Sequence, residues 1–305
     1  MTPLQVGVVF PHAEAGADPS AIRDFARAAE SLGFSHILAF DHVLGADAAG
    51  RPGWSGRYTS ETPFREPLTL FAFIAAVTST IGLATGVLIL PQRQTALVAK
   101  QAAEVQLLSG GRLRLGVGTG WNAVEYDALR EDFHTRGRRE EEQIELLRQL
   151  WTRDVVTFSG RFDAIDRAGI NPLPGAPIPI WLGGRDDAVL RRAARCADGW
   201  LPLFAPGAEL EEALSRLDSY LAAAGRSRDG FGIEGFVNLE PEEPARWSRQ
   251  LDRWRSAGAT HISLRTMPPG LAAPRPGVSM DSHIEAMRRY REAFGDAWPA
   301  PSSVR

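Results

Sequence analysis

The sequence predicts an α/β protein: a single (β/α)8 barrel with loop insertions at its C-terminal face. Three observations carry that prediction. Short apolar runs alternate with amphipathic helical patterns along all 305 residues, and such alternation means a parallel sheet. No linker or compositional break divides the chain, so residues 1–305 read as one domain, and eight strand–helix units without a second domain favour a closed barrel over an open sheet. Long loops follow the second, fourth and eighth strands, and in a barrel these all open on the face where active sites sit.

The elements follow in order. Residues 4–10 are a strand. Asp18-Pro19 then supplies a cap and a first-turn proline, Ile22, Phe25, Ala26 and Ala29 form an apolar stripe, and Gly33 ends that helix. Strands at 36–40 and 81–90 follow, with a buried helix at about 68–78 between them. Thr95 is expected to cap a helix closed by Gly110-Gly111. Residues 113–117 form the fourth strand and 138–151 a strongly periodic helix. A small hairpin at 155–159, turning at Gly160, precedes the fifth strand at 178–182. The helix at 188–197 is expected to start at a cap from Asp186 or Asp187. Strands at 199–204, 231–239 and 260–264, with helices near 208–223, 244–257 and 281–294, complete the barrel.

Composition removes most function classes. The 34 basic and 37 acidic residues leave a net charge of −3, which argues against a nucleic-acid or acidic-membrane binder. Lys100 is the only lysine, and arginine suits phosphate and carboxylate recognition. The single cysteine, Cys196, excludes an intrachain disulfide and a cysteine metal cage. The opening Met1-Thr2-Pro3 has no positively charged region, so a cytoplasmic protein is expected. Residues 68–90 carry no charge, but glycines and threonines interrupt them and their second half is β-branched, so they read as helix then strand.

Signatures of metal and serine hydrolases are missing: there is no HExxH, CxxC, GxSxG or Walker A sequence, and the histidines show no metal-ligand spacing. No metal is expected. Four other features carry chemistry. Asp41-His42 ends the second strand, where a histidine can exchange protons near neutral pH and Asp41 can orient it or bond a polar cofactor edge. Gly116-Val117-Gly118-Thr119-Gly120-Trp121 ends the fourth strand. It reads equally as close strand packing or as a cofactor contact at Thr119 and Gly120, since no acidic residue follows at dinucleotide-fold spacing. Gly183-Gly184 ends the fifth strand before a helix; exposed N–H groups there, with Arg185, make an anion site. Gly86-Val87 lies inside the third strand, where a glycine marks a bulge or a close backbone approach. Trp54, Phe64 and Trp121 are candidates for apolar pocket walls.

As an ordered set, these residues resemble the luciferase-like monooxygenase superfamily, in its branch of coenzyme F420-dependent oxidoreductases. The likeness runs from about residue 4 to 295. It rests on Ala28-Ala29-Glu30-Ser31-Leu32-Gly33-Phe34, Asp41-His42, Ile81-Gly82-Leu83-Ala84-Thr85-Gly86-Val87, Leu108-Ser109-Gly110-Gly111-Arg112-Leu113, Trp181-Leu182-Gly183-Gly184 and Ala197-Asp198-Gly199-Trp200. The resemblance implies a non-prolyl cis peptide at Gly86–Val87. It implies Asp41 and His42 lining the ring and substrate side, Thr119 and Gly120 at the ring's polar edge, and Gly183 and Gly184 on the cofactor phosphate. Related sugar-phosphate dehydrogenases carry a catalytic glutamate where Trp121 stands here. The function expected is hydride transfer between the deazaflavin F420 and a small-molecule substrate by a homodimer. The alternatives are an FMN-dependent monooxygenase and a non-catalytic cofactor-binding barrel.

Overall fold

A computed structural model describes residues 4–54, 56, 58–240, 243–270, 273–295 and 298. Eight parallel positions form the barrel wall: β1 (Gln5–Val9), β2 (His36–Ala39), the split pair β3 (Gly82–Thr85) and β4 (Leu88–Ile89), β5 (Leu113–Gly118), and then, beyond the hairpin β6 (Val156–Ser159) and β7 (Ala164–Ala168), β8 (Ile180–Gly183), β9 (Gly199–Leu201), β10 (Gly232–Asn238) and β11 (His261–Arg265). Their order is β3-β2-β1-β11-β10-β9-β8-β5, and pairing of β3 with β5 closes the ring. The β6–β7 hairpin stands apart and is antiparallel. Between β3 and β4 the Gly86–Val87 peptide is cis, as the resemblance implied.

The helices are α1 (Pro19–Ser31), α2 (Pro67–Val77), α3 (Thr95–Leu108), α4 (Ala123–Ala128), α5 (Arg136–Thr152), α6 (Asp187–Cys196), α7 (Ala208–Ala223), α8 (Pro244–Ser256) and α9 (Met280–Phe294). Helix α1 forms for the reasons legible in sequence. The Asp18 carboxylate accepts the Ser20 N–H at 2.8 Å, and Ile22, Phe25, Ala26 and Ala29 are buried on one face. Two expected caps differ. Gln94 precedes α3 and Thr95 is its first helical residue, with its hydroxyl donating to Asp163 at 2.9 Å. Asp186 precedes α6, but its side chain caps nothing.

The strand period of two sorts the wall residues. Val8, Ile37, Leu83, Leu115, Ile180, Ile262 and Leu264 are fully buried and pack outward against the helices; burying each such side chain stabilises the fold by about 1.5–3 kcal/mol. The inward positions are unusual. A side chain on Gly7 would overlap the His36 ring, and one on Gly199 or Gly232 would overlap the Trp181 indole. Glycine therefore alternates with large polar and aromatic groups, and the barrel is plugged at depth by His36, Arg114, Trp181, Glu234, His261 and Ser263. Among the described residues no helix is long and apolar enough to cross a membrane; the uncharged stretch 68–90 is indeed α2 followed by β3.

Candidate active site

The mouth of the barrel has a shelf made by β4's approach. Val87 fills the space over two glycines: its methyl groups lie 2.5 Å from where a Cβ would stand on Gly118 and on Gly183. Phe40, Phe236, Leu201 and Met267 extend this surface across the barrel. The result is a flat apolar floor under the C-terminal loops. It explains why both strand ends carry glycine, because any larger residue would displace Val87.

Asp41 and His42 are adjacent but face different partners. Asp41 is buried; it accepts the Ile89 N–H at 2.9 Å and pairs with Arg93 at 2.7 Å. Burial raises its pKa against the pull of Arg93. Its position is that of a clamp holding β4, the strand that presents Val87. The carboxylate facing His42 is not Asp41 but Glu125 on α4, 3.2 Å from Nδ1. Glu125 is 1% exposed and also accepts the N–H groups of Val43 and Leu44, at 2.8 and 3.2 Å. This residue falls in the long loop expected after the fourth strand, on a short helix that the sequence does not predict. The signal that finds it is Asn122 three residues upstream, whose side chain caps α4 through the Val124 N–H at 3.2 Å.

The 43–67 loop folds across the mouth, tied by an Ala46–Thr59 bridge. It brings Phe64 to 4.8 Å and Tyr58 to 4.9 Å from the His42 ring; Trp121, from the turn after β5, lies at 5.7 Å, and Trp54 lies 5.9 Å from Trp121. Of these rings, Phe64 and Tyr58 line a cleft at the mouth. His42 keeps an exposed edge, its side chain being 11% accessible. His12, the other histidine at this end, is different. Both its ring nitrogens face backbone N–H groups, of Phe40 at 3.1 Å and Arg65 at 3.2 Å. Burial, with His42 and Arg65 nearby, pushes its pKa down to about 3, so it stays neutral and pins two loops.

The Gly183-Gly184-Arg185 turn sits at the same end, above α6. The Gly184 N–H is already used, donating to the Leu201 carbonyl at 3.2 Å, and the Gly184 carbonyl accepts from the Trp200 indole at 2.9 Å. Gly184 adopts φ +147°, which disfavours side chains. Arg185 is exposed, pairs with Glu209 at 3.3 Å and lies over Phe204. Thr119 is fixed through its carbonyl, which accepts the Tyr126 hydroxyl at 2.7 Å, and Gly120 turns with φ +63° against Ile89.

A stronger cationic feature lies beside that turn. The first turn of α5 carries Arg136, Arg138 and Arg139 and no acidic residue. Cations at a helix N-terminus oppose the dipole, which favours anions there. Arg192–Glu140 at 2.9 Å and Arg195–Glu141 at 2.6 Å tie α5 to α6 side by side, so both helix N-termini open at the barrel mouth. Arg139 pairs with Glu131 and Arg136 stacks on Phe133, whereas Arg138 is exposed and makes no ion pair among the described residues. No group of side chains able to hold a metal ion is found among the described residues.

A family model described as luciferase-like monooxygenase matches residues 4–297. An uncharacterized protein of Mycobacterium tuberculosis is 36% identical over 245 residues, which cover 76% of this chain and 85% of that protein. An F420-dependent glucose-6-phosphate dehydrogenase of Nakamurella multipartita is 30% identical over 238 residues, 75% of this chain and 66% of that one. Among solved structures, an F420-dependent secondary alcohol dehydrogenase in complex with an F420–acetone adduct has a TM-score of 0.76 at 17% identity, covering 97% of this chain and 100% of its own. A monooxygenase from Streptomyces bottropensis has a TM-score of 0.72 at 19% identity, covering 95% and 98%. At those identities the likeness to solved structures is one of fold.

Proposed function

The chain belongs to the luciferase-like monooxygenase family, and from that premise we propose that it is an F420-dependent oxidoreductase acting on a small organic substrate. The observation that carries the reading is the Val87 shelf, a flat apolar surface bounded by His42 with its buried Glu125 partner. It suits one face of a planar ring. The 30% identity to an F420-dependent dehydrogenase favours the deazaflavin over FMN.

Val87, Gly118 and Gly183 would back the ring, with Thr119 and Gly120 at its edge. The N-termini of α5 and α6, with Arg138 and Arg185, would hold the phosphate. The bound deazaflavin supplies the hydride acceptor or donor, and the protein supplies orientation and a proton. Glu125 accepts a hydrogen bond at His42 Nδ1, which fixes the ring and leaves Nε2 to exchange the proton with substrate. Tyr58, Phe64 and Trp121 shield that exchange from bulk water. Asp41 positions β4 and takes no proton.

Titration of the purified protein with F420 and with FMN, each followed by fluorescence, tests the assignment. F420 is expected to bind, and Arg138→Glu is expected to raise its Kd by roughly 10-fold or more, since a charge-assisted hydrogen bond contributes about 1.5–3 kcal/mol. Arg138 is exposed, so this variant keeps its fold. Gly183→Ala is a poorer probe because its Cβ would strike Val87. Binding of FMN alone replaces the reading with a flavin monooxygenase; binding of neither leaves a barrel without redox function.

The same reading includes a homodimer. Helix α2 has no charged residue, and Phe73 on it is 37% exposed; nearby on α3, Leu97 and Leu108 are 53% and 64% exposed. Exposed apolar side chains on two packed helices support an interaction surface there. Light scattering at micromolar concentration is expected to give twice the 33.2 kDa chain mass; a monomer overturns it.

A further inference from the structure

Three stretches of chain line the cleft at the mouth: residues 10–13 after β1, Phe40 with Tyr58 and Phe64 from the β2 side, and residues 267–270 after β11. The first stretch is central, because β1 pairs with β2 on one side and with β11 on the other. It carries a single helical turn, His12–Glu14. The two titratable side chains of that turn reach different neighbours. His12 holds the β2 side, facing the N–H groups of Phe40 and Arg65. Glu14 holds the β11 side. Its side chain is fully buried and accepts from Arg275 at Nε, Nη2 and the backbone N–H, at 2.7, 3.1 and 3.3 Å. His283 of α9 lies on it too, with Nε2 2.8 Å from the Glu14 carboxylate and Nδ1 2.8 Å from the Thr266 hydroxyl. Residues 267–270 are thus fixed from both ends, at Thr266 before them and Arg275 beyond, by way of one carboxylate. Arg275 also pairs with Glu240, just after β10. Nothing local in the sequence announces this, since Glu14 meets Arg275 across 261 positions.

We propose that Glu14 is a positioning residue for the substrate. Through Arg275 and His283 it sets residues 267–270 against residues 10–13, and so fixes the width of a cleft that takes a flat uncharged ring. The inference rests on the oxidoreductase reading of the same mouth and adds the residue that shapes its substrate side. Stability alone is a weak reason for such a cluster, because desolvating buried charges offsets most of their attraction. What it supplies is one geometry for a loop that no strand or helix holds. Glu14 touches neither the Val87 shelf nor His42, so it acts on the substrate only through the cleft wall. The apolar and aromatic lining of that wall suits a ring, and a small misplacement of a positioning wall is felt strongly at the bound molecule.

The test titrates the purified full chain with benzamide, a flat uncharged ring, by calorimetry, and with F420 and FMN by fluorescence. Arg275→Gln is the first variant, because its side chain is 27% exposed and Glu14 keeps His283. It is expected to weaken benzamide binding by about tenfold and to leave cofactor affinity within about twofold. Arg275→Lys, which keeps the charge but not the paired N–H groups, should restore part of the loss. Glu14→Gln should match Arg275→Gln, and the double variant should lose no more than either alone, since both remove one contact. If Glu14→Gln does not fold, the two Arg275 variants decide. A lowered melting temperature in Arg275→Gln with benzamide affinity unchanged makes the cluster a structural seal and overturns the proposal. No saturable response of the wild type to millimolar benzamide, additive losses in the double variant, or lost cofactor affinity in Arg275→Gln each overturns it as well. A wild type that binds neither cofactor but shows the expected benzamide losses in the variants overturns the redox reading alone.

Discussion

Glu234→Ala is expected to destabilise the fold by about 3–5 kcal/mol, the cost of leaving a buried charge without its partner. Barrel interiors are ordinarily layers of branched aliphatic side chains. Here Glu234, fully buried, accepts the Ser263 hydroxyl at 2.6 Å, pairs with His36 at 2.7 Å and with Arg114 at 2.6 Å. Arg114 in turn stacks 4.0 Å from the centre of the Trp181 ring, and His261 packs on the same indole. Removing the carboxylate strands a guanidinium in the barrel. Glu234→Gln, which keeps the shape and one acceptor, should cost less, and urea unfolding of the two variants measures both.

The plug also gives the protein an acid sensitivity. Burial pushes His36 and His261 down, as it does His12, which reaches about 3. A histidine whose pKa falls on folding adds stability that is complete above its unfolded value near 6.5 and is lost as pH falls. His12 loses about 2 kcal/mol of stability between pH 7 and pH 5, and His36 and His261 lose stability in the same direction. Burial also tends to raise Glu234, but Arg114 and His36 overcome this and hold it well below the carboxylate range, so its contribution fades only below about pH 4.5. Glu140 works the other way: burial raises it to about 7, and acidification relieves its cost, offsetting roughly one histidine. The net expectation is a melting temperature lower at pH 5 than at pH 7. A flat or rising value contradicts the buried neutral histidines.

The barrel was legible because its evidence is local. Each wall strand is a short apolar run closed by glycine or by a helix signal, as at 4–10 before Asp18-Pro19, and the pattern repeats around the ring. The site was legible only where a strand end announces itself, as at Asp41-His42, Gly86-Val87 and Gly183-Gly184. What escaped depends on distant pairing. His42 meets Glu125 across 83 positions, and His36 meets Glu234 across 198; no window of sequence contains either pair. The charges of the plug sit in strands whose outward residues are apolar, so they read as surface. Asp41 adjoins His42 in sequence, but the partners of its carboxylate, Arg93 and the Ile89 N–H, lie about fifty positions away.

His42→Ala is expected to lower the rate of hydride transfer by about 10²–10⁴-fold, the usual contribution of a positioned general acid or base, while cofactor affinity changes little. Three features set His42 apart from other candidates. It keeps an exposed ring edge, Glu125 holds its Nδ1, and three aromatic rings limit access of water. His12 is buried, both its ring nitrogens face backbone N–H groups and it is neutral at any working pH, so His12→Ala should cost stability and leave the proton step intact. Trp121 stands where related dehydrogenases carry a catalytic glutamate, so no carboxylate at that position shares the work. Glu125→Gln keeps an acceptor for the Val43 N–H but removes the charge facing His42. Its loss should therefore fall between wild type and His42→Ala, in kcat rather than KM. Single-turnover absorbance of the bound cofactor, compared for His42→Ala, His12→Ala and Glu125→Gln, reads the step directly. A His42→Ala rate within a few-fold of wild type would reduce the residue to an aromatic-box packing group, and the proton would have to come from another group lining the cleft, Tyr58 first.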